Sequence, residues 1–228
     1  MHDPLDASTI IFALLAIFVL WKLRSVLGTR TGNEKPPSAP LLRRAIDDPK
    51  VVPLPGTAAR PVSEPNPDRW RPYAEPGSKV AEGLDAIATA SPDFAPDTFL
   101  RGAKTAYEMI VTAFASGDLE TLRNLLDKDV FDSFSVAIAG RESRDESMTT
   151  SVVSIDQVTM EDAGMRGASA QITLRFSAKL ISATRDKSGA VISGDPEKSV
   201  DIADVWTFAR DVSSRDPNWK LAATQGGH

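Results

Sequence analysis

The sequence predicts an α+β protein in which a membrane-spanning helix and a linker precede one folded domain. Three observations predict this arrangement: one long apolar segment near the start, a stretch holding eleven of the sixteen prolines, and a late change of apolar period from 3.6 to 2. In the expected domain, three N-terminal helices pack on a curved four-stranded antiparallel sheet.

Residues 7–27 are predicted to form a transmembrane anchor. The stretch from Ile10 to Trp21 carries no charge, and with its flanks it reaches the roughly 20 residues that span a bilayer core. Trp21, Lys22 and Arg24 are expected at the membrane interface, since tryptophan favours that depth and long basic side chains extend toward head groups. An uncleaved signal peptide and an interfacial amphipathic helix are the alternatives.

The charges around this segment predict its orientation. Asp3 and Asp6 precede it, whereas the basic residues follow it, so we expect a single-pass protein of a bacterial inner membrane with its N-terminus outside and its domain in the cytoplasm. Residues 22–60 carry a net charge of +5, which suits anionic lipid head groups. Residues 61–228 carry −8, which argues against a nucleic-acid partner.

A proline-rich linker is predicted for residues 28–77, because proline removes backbone donors and fixes φ. Residues 78–90 predict a short amphipathic helix, with Val80, Leu84 and Ile87 on one face and Gly83 weakening it. This helix either packs on the domain or serves as a detachable arm.

Residues 91–228 are expected to form the domain and to contain its periodic apolar core. Pro96 suits the first turn of a helix, Gly117 is placed to end that helix, and Asp118 is placed to cap the next one. A third helix is expected in DVFDSFSVAIAGRES. Four strands are then predicted, in SVVSIDQVTM, AQITLRFSAKLI, VDIADVWTFARDV and WKLAAT.

The composition argues against the common catalytic sites. Histidine occurs only at His2 and His228, and there is no cysteine. Histidine bases, thiolate nucleophiles and ordinary zinc sites are therefore not expected within the domain. We expect no catalytic residue, no metal and no cofactor, and we predict that the protein is not an enzyme.

Asp204, Trp206 and Phe208 form the candidate pocket. Asp204 falls in the same strand phase as Val200, Ile202 and the two aromatic residues, so its carboxylate is expected on an apolar face. Such a group forms an ion pair or hydrogen bond to a neighbouring strand, lies at a bulge that shifts the phase, contacts a polar ligand in a pocket, or acts in catalysis. The two aromatic side chains are expected to be core residues or a ligand platform.

Several short blocks in order resemble the Tim44 family, including its bacterial members described as adaptors. The blocks lie between residues 94 and 226 and include F-L-x-G-A, A-Y-E-M-I, A-F-A-x-G-D, D-V-W-T-F-x-R and D-P-N-W-K-L-A-A-T. The resemblance implies a cone-shaped fold related to nuclear transport factor two, association with a membrane and an adaptor role. Mitochondrial members carry a long charged chaperone-binding region before the domain, where this chain has an apolar span and a proline-rich linker.

The sequence thus predicts a membrane-tethered adaptor that binds a protein partner in protein translocation or membrane-protein assembly, with the partner's identity left open. The alternative is a domain with a lipid or small-molecule pocket and weak carboxylate-based activity.

Overall fold

Four helices precede four strands in the computed structural model, which describes residues 68–226. The helices are α1 (Lys79–Ala90), α2 (Pro96–Ser116), α3 (Leu119–Leu125) and α4 (Lys128–Glu142). The strands are β1 (Ser147–Arg166), β2 (Ser169–Arg185), β3 (Val191–Asp211) and β4 (Lys220–Gly226). The predicted α+β class and four-stranded antiparallel sheet are confirmed.

Local sequence signals set the helix ends. Pro96 opens α2, where its missing N–H costs no helical hydrogen bond. Gly117 ends α2 with φ at 75°, a left-handed conformation that glycine adopts without steric cost. Asp118 then caps α3, its side chain accepting hydrogen bonds from the N–H groups of Glu120 and Thr121. The expected helix stop and cap are therefore confirmed.

The sheet is a simple antiparallel meander with the strand order β1-β2-β3-β4. In its centre, Phe176 of β2 pairs with Val158 of β1 on one side and with Asp204 of β3 on the other. β4 is short and pairs with β3 only from Asp204 to Ala209. The long strands β1, β2 and β3 therefore extend beyond β4.

The helices cover one face of the sheet, here called the inner face. Alternate residues of β2 lie on it and are at most 3% exposed; they are Ala170, Ile172, Leu174, Phe176 and Ala178. The opposite, outer face is polar: Thr173 and Thr207 share a hydrogen bond of 2.9 Å there, and Arg175 pairs with Glu161. This alternation is the period of two expected for half-buried strands.

Helix α1 packs against β1 and is part of the domain. Leu84 and Ile87 are fully buried. Gly83 faces the backbone of β1, and a Cβ at this position would lie 1.9 Å from the carbonyl oxygen of Ala163. Glycine thus permits the close approach of helix and strand, although the sequence suggested only that it weakens the helix. The packed form of this helix is the one present.

The core also includes a residue from the region assigned to the linker. Trp70 is 4% exposed, and its indole Nε1 donates a 2.7 Å hydrogen bond to Oδ1 of Asp85 in α1. Arg69 lies over the Trp70 ring, with its guanidinium carbon 4.3 Å from the ring centroid. The expectation that residues 91–228 contain the whole core is wrong, because Trp70 and α1 contribute buried side chains to it.

The predicted anchor at residues 7–27, with Trp21, Lys22 and Arg24, lies outside the described residues, as does most of the predicted linker. Among residues 68–226, no helix is long and apolar enough to cross a membrane.

Candidate functional site

The centre of the inner face brings a helix tyrosine to the carboxylate that the sequence analysis selected. Tyr107 lies in the middle of α2, and its hydroxyl donates a 2.8 Å hydrogen bond to Oδ2 of Asp204 in β3. A partner for Asp204 was expected, and the structure supplies one, but from a helix and not from the neighbouring strand that the sequence analysis favoured. The burial of Tyr107 could be predicted from the A-Y-E-M-I block, where it continues the apolar stripe of Phe99, Ala103 and Ile110, although its contact with Asp204 could not.

Aromatic packing holds the tyrosine in place. Its ring stacks on Phe176 with a centroid distance of 4.6 Å and an interplanar angle of 17°. On the other side, Trp206 lies 4.6 Å from it at 43°. Tyr107 is fully buried, so the orientation of its hydroxyl is fixed by contacts with both neighbouring strands. Such contacts add to the free energy of area burial and favour one geometry.

Burial dominates the electrostatics of this pair. It raises the pKa of Asp204, while the hydrogen bond from Tyr107 acts in the opposite direction. Burial also raises the pKa of Tyr107, and the neighbouring carboxylate and its hydrogen bond raise it further. Tyr107 therefore remains protonated at neutral pH and acts as a donor. The arrangement can hold a carboxylate at the boundary of the core.

Trp206 and Phe208 lie in the core and are 5% and 1% exposed. Phe208 meets Phe99 of α2 edge to face with a centroid distance of 6.0 Å, and Phe99 in turn packs on Trp219 at 4.7 Å. The two candidate aromatic residues thus belong to a continuous cluster between α2 and the sheet. Asp204 is half-buried at the edge of that cluster.

The helices leave the inner face of β3 uncovered a few residues before Asp204. Val200 shares the inner phase, since it pairs with Leu180 as Trp206 pairs with Leu174. It is nevertheless 55% exposed. The sequence period identified the correct face of β3, but the helices do not cover that face along the whole strand.

Arg141 is a structural residue that the sequence analysis did not select. It is 8% exposed, and its Nη2 donates to the carbonyl oxygens of Phe114 at 2.8 Å and Ala115 at 3.0 Å. These carbonyls belong to the last turn of α2, where the helix dipole favours a positive charge. Arg141 lies three residues after Ile138, in the buried phase of α4, and this position could have predicted that it is buried.

Within residues 68–226, no group of three or more His, Cys, Asp or Glu is placed to hold a metal ion. Two surface depressions, one beside Arg210 and Asp216 and one beside Glu108 and Thr112, lie away from Asp204. Neither includes any of the three candidate pocket residues.

The described domain is similar in sequence to known proteins. Residues 80–226 match the model of the Tim44-like domain. The chain is 24% identical over 147 residues to the mitochondrial import inner membrane translocase subunit TIM44 of Homo sapiens, covering 63% of this chain and 32% of that protein. It is 26% identical over 148 residues to a probable subunit of the same translocase in Caenorhabditis elegans, covering 63% and 35%.

A bacterial relative and two solved structures are also similar. An uncharacterised protein of Rickettsia prowazekii is 25% identical over 143 residues, covering 63% of this chain and 58% of that one. The intermembrane space region of the chloroplast protein ARC6 aligns with a TM-score of 0.41 and 11% identity over 59% of this chain and 98% of that one. A member of the NTF2-like family from Streptomyces avermitilis aligns with a TM-score of 0.33 and 19% identity over 58% and 99%.

Proposed function

Because the chain belongs to the Tim44-like domain family, we propose that it is an adaptor that binds other proteins at a membrane and is not an enzyme. In this proposal it acts in protein translocation or membrane-protein assembly at a bacterial inner membrane. Two of the relatives are named as subunits of a mitochondrial import translocase. This chain matches only about a third of their length, so the shared part of the function is the part carried by the domain.

The extent of the shared region carries the proposal. The family match begins in α1 and ends with β4, and the described fold runs from residue 68 to 226. The family model therefore spans all four strands and all four helices apart from Lys79, the first residue of α1. A domain of this size offers enough surface for a protein interface of ordinary area, about 800 Å² per partner.

The contacts of Asp204, Trp206 and Phe208 on the inner face argue against a catalytic role for them. Oδ2 of Asp204 accepts the hydrogen bond of Tyr107, and that tyrosine is fully buried under α2. A general base needs access to the proton it removes, and a partner fixed in the core limits such access. Trp206 and Phe208 are packed against other aromatic residues, which favours a structural role for them.

Tethering rests on the N-terminal sequence. Residues 7–27 would hold the protein in the membrane, with Trp21, Lys22 and Arg24 at the interface. The charge of +5 in residues 22–60 would add attraction to anionic lipids, worth about 1 kcal/mol for each basic residue close to the surface. This placement would keep the domain in the cytoplasm, with the N-terminus outside.

Site-specific photo-crosslinking in bacteria tests the adaptor role. A photoreactive residue is placed at one of three exposed valines, Val136 on α4, Val153 on β1 or Val200 on β3, which are 73%, 54% and 55% exposed. We expect adducts with membrane or translocation proteins from at least one position and none from a buried control such as Ile110. Failure to form protein adducts, together with lipid or a small molecule retained in native mass spectrometry, would favour the pocket alternative.

A fusion tests the orientation. Alkaline phosphatase attached after His228 should be inactive, because the domain is expected on the cytoplasmic side. High phosphatase activity from the same fusion would place the domain outside the cytoplasm and overturn the proposed topology.

A further inference from the structure

The sheet has two edges in the described chain, and they differ. β1 forms one edge along its whole length. The second edge is shared, because β4 pairs with β3 only from Asp204 to Ala209. Among residues 68–226, β3 pairs with β2 alone before Asp204, so in this part of the chain its other side carries unpaired backbone groups. An unpaired strand side is a template for another strand.

The β1 edge is irregular. Its pairing with β2 shifts between Val152 and Ser154, between Ile155 and Gln157, and between Met160 and Asp162. Such bulges twist a strand and interrupt the regular spacing of its backbone donors and acceptors, which discourages the addition of another strand.

The exposed part of β3 includes a regular stretch, Ser199–Ala203, which we call the open edge. These five residues pair one by one with Ile181 to Ser177 of β2, without a shift. A register shift and Pro196 lie just before the open edge, and β4 begins to pair just after it. At about 3.4 Å per residue, the open edge presents roughly 17 Å of regular strand.

Side chains of the open edge alternate in chemistry. Val200 and Ile202 lie on the inner face, where Val200 is 55% exposed and Ile202 is half-buried. Asp201 lies on the outer face with its side chain 83% exposed, in an ion pair with Lys179. Exposed apolar residues on a regular edge are an aggregation hazard unless a partner covers them.

We propose that the open edge binds an extended segment of a partner protein, which adds to the sheet as a strand beside β3. Apolar residues of the segment would lie next to Val200 and Ile202, and a basic residue would lie next to Asp201. The charge of −8 on residues 61–228 favours a basic segment over an acidic one. The proposal rests on the protein-binding function above and names its surface and the chemistry of its partner.

Hydrogen–deuterium exchange on the full-length chain tests the mode of binding. The probe is the acetylated and amidated peptide KVKVKVK, and the control is the same peptide with every backbone amide N-methylated. Strand addition requires backbone hydrogen bonds, which give this kind of complex its affinity. We expect the first peptide to slow exchange at residues 199–203 and the methylated one to bind more than about tenfold more weakly, since several hydrogen bonds are lost.

Matched variants test whether the peptide binds at the open edge. Val200→Lys and Val153→Lys add the same charge at valines of nearly equal exposure, 55% and 54%, but only Val200 lies on the open edge. We expect Val200→Lys to abolish the protection and Val153→Lys to preserve it. Asp201→Lys should reverse the preference, so that EVEVEVE binds better than KVKVKVK. Circular dichroism confirms that each variant is folded.

Three results would overturn the proposal: equal binding of the methylated peptide, protection on β1 or the helices instead of residues 199–203, or no binding at millimolar peptide. Protection of residues 199–203 that rises with protein concentration in the absence of peptide would also overturn it, and would assign the open edge to a second copy of the chain. Crosslinks to partner proteins from Val136 but not from Val200 would exclude the open edge as the binding surface and would leave the proposed adaptor function intact.

Discussion

The two halves of β3 share one alternation but differ in what covers them. From Asp204 to Phe208 the inner side chains lie under α2 and contact its aromatic residues, whereas Val200 is 55% exposed. The covered half contributes its side chains to the core, and the other half leaves Val200 largely exposed. The difference teaches that a strand's period tells which face a side chain occupies but not whether another element reaches it.

Deleting Trp70 and α1, which cover part of the sheet, should have the largest effect on the stability of the domain. A chain of residues 68–228 should unfold cooperatively, whereas residues 91–228 should show no thermal transition or a much lower one. The shorter chain lacks Trp70, Leu84 and Ile87, each at most 4% exposed, and each such side chain contributes roughly 1.5–3 kcal/mol. Together these three side chains contribute a free energy comparable to the stability of an ordinary domain, about 5–15 kcal/mol.

Thermal melts followed by circular dichroism compare the two chains. Equal melting temperatures would mean that Trp70 and α1 are an appendage, and would restore the expectation that the core lies in residues 91–228.

Truncating one inner side chain in each half tests the comparison directly. Phe208→Ala should cost about 3–5 kcal/mol, because it leaves a cavity in the aromatic cluster. Val200→Ala should change the free energy of unfolding by no more than about 0.5 kcal/mol, as expected for an exposed site. Urea unfolding gives both values, and a cost at Val200 close to that at Phe208 would show that the second half is also covered.

Two glycine substitutions should have opposite signs. Gly83→Ala should destabilise by about 1–3 kcal/mol, because the new methyl meets the backbone of Ala163 in the core. Gly102→Ala is the matched control in α2: it meets nothing within 4 Å and should stabilise by about 1 kcal/mol through helix propensity. Stabilisation by both substitutions, measured in urea, would mean that α1 does not pack closely on β1.

Removing one hydroxyl tests the pair at the boundary of the two halves. Tyr107→Phe keeps the ring on Phe176 and Trp206 but leaves Asp204 without its donor, which should cost about 1–3 kcal/mol. A double-mutant cycle with Asp204→Ala, which removes the acceptor, isolates the interaction, and a coupling free energy near zero would mean that the hydrogen bond does not contribute to stability.

Much of this architecture could be predicted from the sequence, because short-range signals specify it. Gly117 and Asp118 set a helix boundary through local backbone chemistry, and the change of period distinguishes helices from strands. Trp70 was missed because a single buried side chain in a proline-rich stretch has no period. The partner of Asp204 is 97 residues away in the sequence, and no local pattern identifies such a contact.

The smallest expected effect is a pH dependence, and it concerns the carboxylate where the covered half begins. Burial raises the pKa of Asp204 in the folded protein above its ordinary value of 3.8. A raised pKa means that the folded state holds the proton more tightly than the unfolded state, so this group stabilises the fold below pH 3.8 and loses that contribution as pH rises through the folded pKa.

Asp204→Asn does not titrate, and the other carboxylates are common to both proteins and cancel in the difference. The stability of Asp204→Asn relative to the wild type, measured as the difference between their free energies of unfolding, should therefore increase as pH rises from about 3.5 to 7. Urea titrations of both proteins at several pH values measure this difference. The opposite trend, a wild-type advantage that grows with pH, would mean that the hydrogen bond from Tyr107 outweighs burial and that the Asp204 carboxylate is stabilised in its charged form.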